Sequence, residues 1–190
     1  MMPSVVLING SFGVGKTSVA RDLRRRISGS VIYDPEWAGW AIQRLPSWVH
    51  LSGDDTDDFQ DVNLWRRSVV AGVKLFRAFA PGPVLVPMTF SRLEYLTQIL
   101  SGIRSFEPEV RVFCLMASLE SIRKRLHGRG TPIDESATWI LRRTEECARA
   151  HEDPRFGEGV DTEGRSITDV VEEVLAKLLF APRAADCQNR

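Results

Sequence analysis

Apolar residues along the chain fall into two alternating kinds of segment. Short runs rich in β-branched residues stand at 5–8 (Val-Val-Leu-Ile), 31–33, 84–86 and 110–115. Between them, apolar residues recur at helical spacing: Val19, Leu23, Ile27; Val69, Val73, Phe76, Phe79; Leu93, Leu96, Leu100; Leu119, Ile122, Leu126; and Val170, Val171, Val174, Leu178. The short runs are apolar throughout rather than alternating, as in strands buried on both faces. Strand and helix in turn predict an α/β three-layer sandwich around a parallel sheet of about five strands. The fifth strand is placed near 156–161, where the pattern is thinnest.

Turn residues mark the boundaries. Pro81-Gly82-Pro83 precedes the third strand, Pro108 the fourth, and Gly128-Arg129-Gly130-Thr131-Pro132 breaks the helix that begins near Ser118. Ser118 itself reads as that helix's N-cap. Residues 1–180 are predicted to form one domain, and 181–190, with no apolar pattern, a frayed tail.

The chain has 190 residues, 25 basic and 25 acidic. A formally neutral protein lacks the basic excess with which general nucleic-acid binders capture phosphates. Cys114, Cys147 and Cys187 show neither metal-ligand spacing nor an even count, which favours a reducing compartment. No apolar run approaches the ~20 residues of a membrane span, and the first residues do not read as a secretory signal. A cytoplasmic location follows as the expectation, with no metal cluster and no membrane partner. His50, His127 and His151 are scattered and suggest neither a metal site nor a triad.

The segment with the clearest chemistry is Gly10-Ser11-Phe12-Gly13-Val14-Gly15-Lys16-Thr17, a complete G-x-x-x-x-G-K-[ST]. It follows a predicted strand and opens a predicted helix, the context this phosphate-binding pattern requires. Glycines let successive backbone N–H groups face phosphate oxygens, and the helix N-terminus adds partial positive charge. The expected nucleotide contacts are Gly10, Ser11, Gly13, Val14, Gly15, Lys16, Thr17 and Ser18. Lys16 would supply a point charge to the terminal phosphates and the Thr17 hydroxyl a ligand to magnesium. ATP and Mg²⁺ are thus the expected cofactors.

The rest of the chain narrows the class. There is no N-K-x-D element to read guanine, and Asp161-Thr162-Glu163-Gly164 lies too late for a GTPase switch. The third strand ends Val86-Pro87-Met88-Thr89, without the acid of motor-type ATPases. A small-molecule kinase remains, in which a carboxylate after the second strand often serves. Asp34 holds that position. It can orient an acceptor hydroxyl, accept its proton or hold magnesium, or serve with Pro35 only as a helix start. Arg125 and Arg129 are four apart, suited either to a lid over the phosphates or to a basic helix end. On the acceptor side, Trp37, Trp40, Trp48 and Trp65 fall between the second and third strands, where they can stack on a ligand or pack a subregion. Arg66 can face an acceptor, and the acidic run at 54–58 reads as a solvated loop.

These motifs in order resemble the tunicamycin-resistance protein family, within the phosphate-loop kinases related to nucleoside monophosphate kinases. The resemblance rests on residues 8–17, Tyr33-Asp34-Pro35-Glu36, Asp58-Phe59-Gln60, Leu64-Trp65-Arg66, Val86-Pro87-Met88-Thr89, Leu115-Met116-Ala117-Ser118, Arg125-Leu126 with Arg129, and Asp161-Thr162. It implies a P-loop NTPase fold of the nucleoside-kinase type and an ATP-binding protein that acts against nucleoside antibiotics. By the same analogy Arg125 and the loop after Asp161 lie near adenine, Arg129 near the phosphates, and Thr89 in the acceptor pocket. The expected catalytic set is Lys16, Asp34 and Arg129, with Thr17 and Asp34 on the metal and Glu36, Trp37, Trp65, Arg66 and Thr89 toward the substrate. The leading expectation is a phosphotransferase acting on a hydroxyl of a nucleoside-like small molecule; the alternative is ATP-dependent sequestration without phosphorylation.

Overall fold

The computed structural model describes residues 2–35, 61, 63–128 and 135–180, the side chains of 135–139 and 180 excepted. Five parallel strands, β1 (Val5–Gly10), β2 (Val31–Ile32), β3 (Val84–Pro87), β4 (Val110–Met116) and β5 (Glu158–Asp161), lie in the order β2-β3-β1-β4-β5. The described helices are α1 (Lys16–Arg26), α2 (Asn63–Phe79), α3 (Leu93–Arg104), α4 (Leu119–His127), α5 (Glu135–Ala150) and α6 (Ile167–Phe180). β1 is central, pairing Ile8 with Pro87 on one side and Phe113 on the other. The chain runs first to the β2 edge and returns, then crosses to the β4–β5 side. Its loop after β1 therefore opens at the point where strand order reverses, the usual ligand crevice of open α/β sheets.

Two cores confirm the three layers. All six residues of β1 are buried. Val6, Ile8, Leu85, Phe113 and Leu115 pack on one face against Val19 and Leu23 of α1 and Val170, Val171 and Val174 of α6. Val5, Leu7, Val84, Val86 and Cys114 pack on the other against Trp65, Val69 and Val73 of α2 and Leu96, Ile99 and Ile103 of α3. Ser118 caps α4, its hydroxyl accepting from the Ser121 N–H at 3.2 Å, as its position suggested.

Two features depart from the sequence expectation. The fifth strand is only Glu158–Asp161; Phe156 belongs to a 3₁₀ turn (Pro154–Phe156) capped by Asp153 and points into the core. Helix α5 was not anticipated. Among its described side chains, those from 140 on, and in the turn after it, Thr144, Cys147 and His151 are buried, a stripe at helical spacing without an aliphatic residue. The 181–190 tail lies outside the described residues. No helix among the described residues is long and apolar enough to cross a membrane.

Candidate nucleotide and acceptor site

The loop from Gly10 to Gly15 has a backbone only glycine adopts easily. Gly10, Gly13 and Gly15 have φ of 150°, 80° and 114°. At Gly13 a Cβ would also sit 2.9 Å from Leu126 Cγ of α4, so the loop is wedged against that helix. Gly15 stands at the N-cap of α1 without a side-chain cap, and the first turn holds no acid. The N–H groups and partial positive charge of that turn are left to an anion. Lys16 is buried and donates from Nζ to the Ser11 carbonyl at 3.0 Å, with Nζ 5.5 Å from the Phe12 ring centre. Thr17 is exposed and Ser18 half-buried in the same turn.

Arg125 of α4 clamps this loop to the turn after β5. Its guanidinium donates to the Val14 carbonyl at 3.2 Å, to Thr162 Oγ1 at 3.0 Å and to the Thr162 carbonyl at 2.7 Å. The turn is bound from the other side by Glu163, whose carboxylate accepts from the Ser118 N–H at 2.8 Å and from the Ser121 hydroxyl. Those bonds hold the Glu163 carboxyl below its ordinary range. Asp161 accepts from the Glu163 N–H at 2.9 Å and shapes the turn from an exposed position. Arg125 and Asp161 thus fall on one rim of the phosphate loop.

Asp34 lies half-buried just past β2, and the next residue, Pro35, begins a helical turn. Its neighbour Tyr33 is braced on α2: the ring lies 5.0 Å from Phe76 and the hydroxyl donates to the Ser68 carbonyl. Burial, and then the negative charge of Asp34, raises the Tyr33 pKa. Trp65 is fully buried in the core, and its indole N–H donates to the Pro35 carbonyl at 3.4 Å. Of the two readings of Trp65, stacking on a ligand or packing a subregion, this placement shows the packing: the ring supports the Asp34 segment. Arg66 bonds Gln98 at 2.6 Å and lies 4.6 Å from the Tyr95 ring centre. Thr89 is buried in the loop after β3, between the two halves of the site. Glu36, Trp37 and Arg129 lie outside the described residues.

Asn9, His151 and Arg143 hold these parts together, with Cys114 packed beside them. Asn9, fully buried, accepts from the N–H of Gly10 (2.8 Å) and of Phe90 (3.0 Å) through Oδ1, and donates from Nδ2 to the Phe156 carbonyl (3.2 Å). His151 bonds the Phe90 carbonyl through Nε2 at 2.7 Å. Burial lowers its pKa to about 4, so the ring is neutral and Nε2 carries the proton. Cys114, beside Asn9 Nδ2, is pushed by burial to about 12 and is an inert thiol. Arg143 of α5 reaches Ser91, two residues past Thr89, at 3.0 Å. Only Asn9 carried a sequence signal, a polar residue ending an otherwise wholly apolar strand.

A uniformly parallel 2-3-1-4-5 sheet carrying a glycine loop, a buried lysine and an uncapped helix start defines a P-loop NTPase fold of the small-molecule-kinase type. Comparison with solved structures agrees. The chain is similar to the tunicamycin resistance protein of Deinococcus radiodurans, at 28% identity over 94% of this chain and 96% of that one, with a TM-score of 0.70. It shares its fold with a gluconokinase from Sinorhizobium meliloti 1021 (20% identity, 94% and 93% covered, TM-score 0.65). A shikimate kinase from Acinetobacter baumannii solved with shikimate has it too (14%, 94% of each chain, 0.60). No protein-family model and no curated protein matches the chain. The likeness read from the ordered motifs is therefore also a likeness of fold.

Proposed function

We propose that this protein is an ATP-dependent phosphotransferase acting on a hydroxyl of a nucleoside-like small molecule of the tunicamycin type. The observation that carries the reading is the layout of the sheet's carboxyl edge. The phosphate loop leaves β1, Thr89 follows the adjacent β3, and Asp34 follows β2 beyond it. Strands about 4.8 Å apart put β1 and β2 roughly 10 Å from each other. A donor phosphate held at the loop and an acceptor hydroxyl held at Asp34 can share that edge.

In this mechanism the loop amides and the α1 N-terminus bind the phosphates, and Lys16 exchanges its bond to the Ser11 carbonyl for phosphate oxygens. Thr17 and Asp34 fit magnesium: a hydroxyl and a carboxylate, with phosphate and water completing the shell, are what this ion takes in nucleotide sites. Among the described residues no cluster of three His, Cys, Asp or Glu forms a dedicated metal cage. When bound, the ion would neutralise charge on the transferring group. Asp34 orients the acceptor hydroxyl and receives its proton as the oxygen–phosphorus bond forms, and ADP departs. Arg129 and Arg125 complete the nucleotide side. The protein would act in the cytoplasm, on a small molecule.

The test is incubation with ATP, magnesium and tunicamycin or uridine-type nucleosides, read by mass spectrometry. Gain of one phosphoryl group is expected in wild type and is lost in Asp34→Asn, while ATP affinity stays within about twofold. Saturable antibiotic binding at unchanged ligand mass would replace this reading with sequestration.

A further inference from the structure

The outer flank of α2 faces α3 across a groove that the proposed reaction does not use. Arg66, Val70 and Lys74 follow one another at one-turn intervals, with Arg67 and Ala71 beside them. Opposite stand Gln98, Ile99, Gly102, Ser105 and Phe106. Together they enclose a cavity of about 380 Å³. Gly102 lets the helices meet here; a Cβ at that position would lie 2.8 Å from Val70 Cγ2.

The lining holds three cations and no carboxylate. Lys74 leans across to the α3 side, its Nζ 5.8 Å from the Phe106 ring centre, and Arg66 crosses to Gln98. Among the described residues, neither Arg67 nor Lys74 has a carboxylate within 4 Å. Elsewhere some cations pair with acids, as Arg26 does with Asp22 (3.1 Å), Arg77 with Glu107 (3.0 Å) and Lys177 with Glu158 (2.8 Å), while among the described residues the exposed Arg21, Arg24, Arg25, Arg104, Lys124 and Arg149 also have no carboxylate within 4 Å; what sets the groove apart is that its cations line one cavity. Positive charge is thus concentrated around a floor of Val70, Ile99 and Phe106.

We propose that this groove binds a small organic anion, with a phosphate or carboxylate head on an apolar ring. The head is held by Arg67 and Lys74, with the Ser105 hydroxyl and the Gln98 amide available as neutral partners, and the ring lies on the Phe106 floor. The size decides between a small molecule and an acidic protein. Ligand pockets run from about 300 to 1,000 Å³, whereas a stable protein partner covers about 800 Å² on each side. No residue of the phosphate loop lines the groove, so the site is separate from the proposed nucleotide site.

The experiment is titration calorimetry of the full chain, saturated with ATP and magnesium, with 1-naphthyl phosphate as probe. Saturable one-to-one binding is expected, weakened by added salt and at least about tenfold weaker in the Arg67→Ala/Lys74→Ala double variant, since each lost charge-assisted contact is worth that order. Uncharged 1-naphthol should not bind measurably. Both replaced side chains are exposed, and an unchanged melting temperature and ATP affinity in the variant keep this test apart from the kinase reading. No saturable binding in wild type, equal affinity in the double variant, or equal binding of naphthol each overturns the proposal. So does binding of poly-glutamate in place of the naphthyl probe, which would assign the groove to an acidic protein.

Discussion

Asn9→Ala is the most informative single change in this molecule. The substitution leaves the β1 backbone intact but removes both functional ends of a fully buried amide. The N–H groups of Gly10 and Phe90 lose their acceptor, and the Phe156 carbonyl loses its donor. Each buried backbone group left without a partner costs about 1–3 kcal/mol. Three such groups bound the loss at about 3–9 kcal/mol, and a water admitted to the vacated space brings the expected value to about 3–5 kcal/mol. For a domain of this size, that lowers the melting temperature by roughly 6–20 °C. Urea unfolding followed by tryptophan fluorescence measures the difference directly. ATP affinity should fall as well, because Gly10 opens the phosphate loop. A variant within about 1 kcal/mol of wild type would show that the three segments are held by something other than this side chain, and the account of Asn9 would be wrong.

Three other changes test neighbouring parts of the structure. His151 titrates near pH 4 when folded and near 6.5 when unfolded, so the unfolded state binds the extra proton between those values, and stability falls as pH drops through that window. About 2 kcal/mol should be lost between pH 7 and pH 5, and His151→Gln, which keeps a donor for the Phe90 carbonyl, should flatten that slope in urea midpoints; an unchanged slope would refute the assignment. Trp65→Ala opens a large cavity and should cost about 3–5 kcal/mol, whereas a stable variant with weakened acceptor binding would restore Trp65 to the substrate side. Lys16→Met should weaken ATP binding at least about tenfold in calorimetry with little loss of stability, since its bond to the Ser11 carbonyl is replaceable by water.

The sheet was legible because its strands carry continuous apolar runs, as in Val5 to Ile8 and Val84 to Val86, with the buried Asn9 the exception in β1. The phosphate loop was legible because only glycine tolerates its backbone. Helix α5 was not, since Thr144, Cys147 and His151 form an inward stripe that no hydropathy pattern reports. Arg143 and His151 escaped for a related reason: their partners, Ser91 and the Phe90 carbonyl, lie 52 and 61 residues away in sequence. Trp65 could be read either way from the sequence. A tryptophan near a substrate region suggests stacking, but its indole N–H found a carbonyl on the Asp34 segment and its ring filled the core.

β2 consists of only two ladder residues at the sheet's edge. Just beyond it, the Tyr33 N–H still bonds the Leu85 carbonyl at 2.9 Å, and Tyr33 and Trp65 tie the segment to α2. The carboxylate of Asp34 therefore rides on a short edge ladder and on side-chain packing against α2, while the phosphate loop springs from the fully buried central strand. Substitutions on the inner face of α2 can shift the aspartate without disturbing the phosphate loop. In the proposed mechanism such changes would retune the acceptor side in small steps while the donor side stays fixed.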